Sequence, residues 1–240
     1  VYSLYFRHSL AKTLKNTDMI LYNSEQTKKT TEKLFPEAKK IANCNAYIIA
    51  NPHKEKYVTS DKGYLLYVGN MEKRKGVDLL LKAYPRYRQL GGTKPLILAG
   101  KMQEEDIRQL LEDTMNTTEG IKYLDYVTHE KKHQLFADCS CFVFPSKAEG
   151  FGMPVIEAMK FKKPILISNL DIYDELIGPC VNEFDLNAAE NVQIDNLAHA
   201  MLDFKTEVDT DRYEEVVDRY SPAKLGNIVR EFINSQNYGG

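Results

Sequence analysis

Ser146-Lys147-Ala148-Glu149-Gly150-Phe151-Gly152-Met153-Pro154-Val155-Ile156-Glu157-Ala158-Met159 is the stretch around which the chain is organised. Just before it, Cys141-Phe142-Val143-Phe144 is a continuous apolar run, the pattern of a buried strand. Pro154 suits the first position of a helix, where its missing N–H costs nothing. Between strand and helix lies a loop with two glycines, Gly150 and Gly152, which can offer backbone N–H groups to a ligand without a Cβ in the way. Strand, glycine loop and helix start together form an anion site, because the first N–H groups of a helix have no partner inside it. Glu149 stands before that site and Glu157 about one turn into the helix.

Working outward, strands are expected at 64–68, 96–99, 121–124, 141–144, 164–167 and 180–184. Helical stretches fall between or after them at 76–90, 103–115, 129–138, 154–162 and 170–177. That alternation implies right-handed crossovers and an α/β fold, a doubly wound Rossmann-like parallel sheet of about six strands. Upstream, a helix is expected over 1–17, a strand over 18–22, a helix over 25–35 capped by Asn23-Ser24, and a strand over 46–50. Residues 53–63 are polar and aperiodic, which suggests a boundary. Three helices are expected to close the chain, near 194–204, 210–219 and 222–236. The resulting division is 1–61, 62–205 and 206–240.

The bulk properties exclude several classes. With 240 residues, 43% hydrophobic and 28% charged, the chain is globular rather than disordered. A net charge of −2 gives no bulk reason to expect nucleic acid as a partner. Cys44, Cys139, Cys141 and Cys180 show no CxxC spacing, which favours buried thiols in a reducing compartment over a disulfide framework. No apolar run approaches a membrane span and no signal-peptide pattern is present, so a cytoplasmic location is expected, with peripheral membrane contact as a second option. The first residue is Val, which suggests a piece of a longer protein.

In open parallel sheets, ligands bind outside the carboxyl ends of the strands. The loop after the first sheet strand is Gly69-Asn70-Met71-Glu72-Lys73-Arg74-Lys75-Gly76. Its three cations form either a solvated turn or one wall of an anion site. A position on the same sheet edge as the glycine loop favours the second, with Lys75, next to Gly76 at the helix entrance, the leading candidate. Glu157 is either a carboxylate favoured by the helix dipole or an acceptor for neighbouring hydroxyls. Glu149, read by itself, is an exposed surface acid. His129-Glu130-Lys131-Lys132-His133 is a literal H-E-x-x-H, the zincin pattern. A polar helix start is preferred, because no third ligand follows at zincin spacing and two lysines oppose a cation. Asn116-Thr117-Thr118 is a formal glycosylation sequon that means nothing without secretion.

Glu149 and Glu157, with seven residues including Gly-Phe-Gly-Met-Pro-Val-Ile between them, resemble the E-x7-E signature of retaining GT-B glycosyltransferases, in particular the family 4 group. Tyr67-Val68-Gly69 through Arg74-Lys75-Gly76-Val77 is similar to that family's first donor-domain loop, and Leu96-Ile97-Leu98-Ala99-Gly100-Lys101 to its second strand. Asp138 through Ser146 resembles the strand leading into the signature. Asp18 through Ser24, and Ile49-Ala50-Asn51-Pro52, resemble the last strands of the family's N-terminal domain.

The resemblance implies a GT-B donor-binding domain carrying a remnant of the acceptor-side domain over 1–61. It implies transfer of a sugar from a nucleotide diphosphate sugar to a sugar, lipid-linked or protein hydroxyl, with retention. Front-face attack would pass the acceptor proton to the donor phosphate. Glu157 would accept the ribose hydroxyls, and N–H groups around Gly150, Phe151, Gly152 and Met153 would hold the distal phosphate. Glu149 would lie beside the transferred sugar, and Lys75 would stabilise the diphosphate leaving group. Tyr126 and Val127 would meet the base, with Gly69, Asn70, Arg74 and Lys101 as further donor contacts. The family often carries Arg directly after the glycine of the first loop; here Asn70 stands there, and Arg74 is expected to compensate. No metal or other cofactor is expected, the nucleotide sugar being a co-substrate. A fused or partner domain would supply the acceptor side. The alternative is a non-catalytic nucleotide-sugar-binding or scaffolding module that regulates a partner.

Overall fold

A computed structural model describes residues 2–45 and 58–237. It divides into two compact units, Val1–His53 with Asp218–Gly240, and Lys54–Val217. The sequence suggests boundaries after 61 and 205; the compact units change over after 53 and 217.

The smaller unit runs through α1 (Tyr2–Lys15), β1 (Met19–Tyr22), α2 (Glu25–Leu34), a 3-10 turn over Pro36–Lys40 and β2 (Ala42–Asn45), and includes a C-terminal helix, Pro222–Asn237. Ser24 caps α2 by accepting a hydrogen bond from the Thr27 N–H at 3.0 Å, as the Asn-Ser pair predicts. Leu14, Phe35 and Ala38 form its core, with Leu10, Ala11, Ile20 and Ile41 packed against them. β1 and β2 pair in parallel. β2 was not anticipated, because Asn43 and Asn45 are weak strand formers and give no apolar run. The strand expected over 46–50 lies outside the described residues.

The larger unit alternates strand and helix through β3 (Leu65–Val68), α3 (Val77–Gln89), β4 (Leu96–Ala99), α4 (Glu105–Thr117), β5 (Ile121–Tyr123), α5 (His129–Asp138), β6 (Cys141–Phe144), α6 (Met153–Lys160), β7 (Ile165–Ser168), α7 (Asp171–Leu176), β8 (Asn182–Phe184) and α8 (Glu190–Asp203), and most of a further helix, α9 (Thr210–Arg219), follows in it. Its six strands are parallel, in the order β5-β4-β3-β6-β7-β8. This is the doubly wound arrangement expected from the sequence. β3, β6 and β7 are buried along their whole length, which is why they read as unbroken apolar runs, whereas β5 and β8 at the edges are partly exposed. Phe136 packs edge-on against Phe142 at 5.1 Å and stacks on Phe161 at 5.7 Å, tying α5 to the sheet. Truncating such a buried ring costs about 3–5 kcal/mol.

The chain leaves β3 toward β4 and β5, then returns to place β6 on the other side of β3. The order therefore reverses between β3 and β6, which opens a crevice at their carboxyl ends. At the opposite ends of the same two strands the structure is closed. Asp138 accepts hydrogen bonds from Ser60 Oγ and Lys62 Nζ, both at 2.6 Å, and from Gln134 Nε2 at 2.8 Å. Burial pushes its carboxyl up, but the donors on Lys62, Ser60 and Gln134 outweigh that and hold its pKa at about 2.

Candidate functional site: the carboxyl edge between β3 and β6

Two loops meet at the reversal. After β3 the chain turns through a short 3-10 segment, Lys73–Lys75, into α3, with Gly76 left-handed at the joint. A Cβ on Gly76 would lie 1.7 Å from the Pro145 carbonyl oxygen at the end of β6, so only glycine lets the two loops approach this closely. The Lys147 N–H donates to the Arg74 carbonyl at 2.9 Å. Arg74 Nη1 donates to the Ala148 carbonyl at 3.1 Å, while its Nη2 pairs with Glu72 at 2.7 Å. Lys147 Nζ donates to Asp78 at 2.6 Å.

Lys75 and Glu149 face each other across this junction. Lys75 Nζ reaches both carboxylate oxygens, at 2.7 and 3.0 Å, and stands 5.3 Å from the centroid of the Phe144 ring. Ser146 Oγ donates to the same carboxylate at 2.6 Å. The Glu149 side chain is only 5% exposed and Lys75 15%, so Glu149 is not the surface acid that its loop position alone suggests.

Past Glu149 the chain enters α6. The helix begins at Met153, so Pro154 occupies its second position rather than its first; both positions lack an intrahelical acceptor for the N–H. Gly152 precedes it in the left-handed region with φ 81°. The N–H groups of Gly152 and Met153 donate to no described residue. Glu157 lies in the second turn, and Lys132 Nζ from α5 grips both its oxygens, at 2.8 and 2.9 Å. Both side chains are partly open, at 18% and 16% exposure.

The remaining expected residues spread along the same edge. Gly69 donates its N–H to the Ala99 carbonyl and lies against the Tyr67 ring, whose hydroxyl donates to the Asn70 carbonyl at 2.8 Å; the Asn70 side chain is exposed. Lys101 Nζ stands 5.2 Å from the Tyr126 ring centroid, and Tyr126 is exposed in the loop after β5, beside partly buried Val127. Gly150 is exposed and Phe151 buried. Lys73 is turned away, paired with Asp106 on α4.

Lys132 escaped the sequence reading. In His129-Glu130-Lys131-Lys132-His133 the sequence presents Lys132 only as a charge opposing a metal, and nothing in it points to the contact with Glu157. His133 is buried, its ring 5.7 Å from that of Phe161, while His129 is exposed. No group of three or more His, Cys, Asp or Glu able to hold a metal occurs among the described residues. The four cysteines are free thiols; burial pushes Cys139 up to about 12.

The family model described as Glycosyl transferases group 1 matches residues 50–221, which contain both loops and both carboxylates. The chain belongs to that family. It is 34% identical over 223 residues to the O-antigen chain mannosyltransferase B of Escherichia coli, covering 87% of this chain and 58% of that protein. A serotype-specific mannosyltransferase WbdA of Escherichia coli is 33% identical over 129 residues, 52% of this chain and 16% of that protein. The chain thus spans little more than half of the first relative and a small part of the second. Among solved structures, sucrose-phosphate synthase from Thermosynechococcus elongatus superposes with a TM-score of 0.75 at 15% identity, over 98% of this chain and 62% of that one. Anabaena HepE in complex with UDP and glucose gives 0.70 at 17% identity, over 94% and 67%. At these identities the likeness establishes the GT-B, Rossmann-like fold. Among the described residues no helix is long and apolar enough to cross a membrane.

Proposed function

We propose that the carboxyl edge between β3 and β6 binds a nucleotide diphosphate sugar, and that the protein transfers the sugar with retention to a hydroxyl acceptor in polysaccharide biosynthesis. The observation that carries this is the convergence, at one reversal point, of an open helix N-terminus and the Lys75–Glu149 and Lys132–Glu157 pairs. The donor's distal phosphate sits on the N–H groups at the start of α6, and Lys75 swings from Glu149 to the diphosphate. Glu157 accepts the ribose hydroxyls. Tyr126, Val127 and Lys101 line the base side; Arg74 takes the charge role that Asn70 cannot. Glu149 lies beside the sugar.

In the step itself the bond from sugar to phosphate breaks. The acceptor oxygen joins the same face, and its proton passes to the departing phosphate. Lys75 and the α6 N-terminus stabilise the charge that develops there, so turnover survives chelation of divalent metals. The names of two relatives favour mannose as the sugar. The acceptor side belongs to a neighbouring domain, and 1–61 is read as its remnant, with the donor domain over 62–205 and closing helices over 206–240.

A calorimetric screen of UDP- and GDP-linked sugars against the chain tests the donor reading. Glu157→Ala weakens the interaction about tenfold. Silence from every sugar nucleotide at millimolar concentration removes the reading. The uncharged Asn70 favours a second reading, a binding module without chemistry. Turnover of a sugar nucleotide by the protein, lost in Glu149→Ala, excludes it.

A further inference from the structure

Tyr173 stands on α7 with 1% of its surface exposed, and its hydroxyl is buried without a hydrogen-bond partner. A buried hydroxyl in that state costs about 1–3 kcal/mol, so it calls for a partner. Its position indicates which. The ring edge lies over Gly152: a Cβ there would come within 2.8 Å of Tyr173 Cε1 and 3.4 Å of the hydroxyl oxygen. Gly152 is the residue whose N–H, with that of Met153, points out of α6 unsatisfied. The Tyr173 backbone is fixed. Its own N–H donates to the Leu170 carbonyl at 2.8 Å, and its carbonyl accepts from the N–H groups of Ile177 and Gly178. Burial, and after it the Glu149 carboxylate, push the hydroxyl's pKa well up, so it remains a protonated donor.

We propose that Tyr173 supplies a third hydrogen-bond donor, beside the Gly152 and Met153 N–H groups, to the distal phosphate of a bound nucleoside diphosphate. This rests on the donor-site reading above. Gly152, against which the ring edge lies, gives its loop the backbone freedom to shift and admit the phosphate oxygen. An unpaired donor waiting at an anion site is the arrangement in which ligand binding recovers the cost of the empty state.

Tyr173→Phe keeps the ring and removes the hydroxyl. Calorimetry with UDP and GDP, run on wild type and variant, is paired with thermal unfolding in the absence of nucleotide. The diphosphate that wild type binds should bind the variant about tenfold more weakly, as expected for a hydrogen bond to a charged acceptor. The melting temperature should stay the same or rise, because a buried unpaired group has gone. UMP and GMP, which lack the distal phosphate, should show no such loss. Equal diphosphate affinity in the two proteins overturns the proposal and leaves the donor site standing. So does a fall in melting temperature with affinity unchanged. An equal loss with the monophosphates overturns the phosphate assignment. Failure of wild type to bind either diphosphate overturns the donor site itself, and the proposal with it.

Discussion

The two ends of β3 and β6 carry the same chemical device with opposite finish. At the amino ends Lys62 grips Asp138; at the carboxyl ends Lys75 grips Glu149. Both pairs join the chain beside β3 to the chain beside β6. Asp138, however, is satisfied from three sides, by Lys62, Ser60 and Gln134. At the carboxyl ends, the Gly152 and Met153 N–H groups and the Tyr173 hydroxyl stay unpaired nearby. A closed network adds stability, whereas spare donors beside a lysine suit an anionic ligand. A Lys–carboxylate pair therefore says little by itself; what separates a clamp from a site is whether the surrounding polar groups are already used.

The largest effect should follow from breaking the upper pair. Lys75→Ala removes the cation proposed to stabilise the leaving group and strands a buried carboxylate. Donor affinity should fall at least tenfold, and stability by about 3 kcal/mol. Adding Glu149→Gln to Lys75→Met should restore most of the stability and none of the donor binding, as calorimetry and denaturant titration would show. A double variant that binds donor normally would make the upper pair a second clamp.

The lower pair should behave in the reverse way. Asp138→Asn should cost about 1–2 kcal/mol, after discounting for the exposed Lys62 partner, with donor affinity unchanged. The sign follows from the depressed pKa. Asp138 contributes stability above the unfolded-state value, and that contribution fades as pH falls from about 4 to about 2. Denaturant midpoints measured across that window should lose part of their slope in the variant. Smallest of all, Lys132→Ala should weaken donor binding about threefold while leaving the fold intact, because Glu157 keeps its place on α6. A larger loss, unrelieved by Lys132→Arg, would move Lys132 from positioning Glu157 to touching the donor.

Most of this architecture was legible in the sequence because buried parallel strands announce themselves. Leu96-Ile97-Leu98-Ala99 and Cys141-Phe142-Val143-Phe144 were bounded as found, whereas β2, with asparagine at alternate positions, offered no apolar signal. The glycine loop and its two acids were also readable, since their spacing lies in one stretch. Lys75 was readable too, but the two pairings were not. Lys75 and Glu149 are 74 positions apart, Lys132 and Glu157 are 25 apart, and only the strand order brings each pair together. Tyr173 sits in a six-residue helix whose tyrosine reads as core, and nothing short of three dimensions reveals an unpaired hydroxyl over Gly152.

The most direct test of the central claim is a crystal structure of the chain with the nucleoside diphosphate that it binds best. The account predicts the distal phosphate within about 3 Å of the Gly152 and Met153 nitrogens, Lys75 drawn off Glu149 toward it, and the ribose on Glu157. A diphosphate bound anywhere else, with the Lys75–Glu149 pair undisturbed, would contradict it.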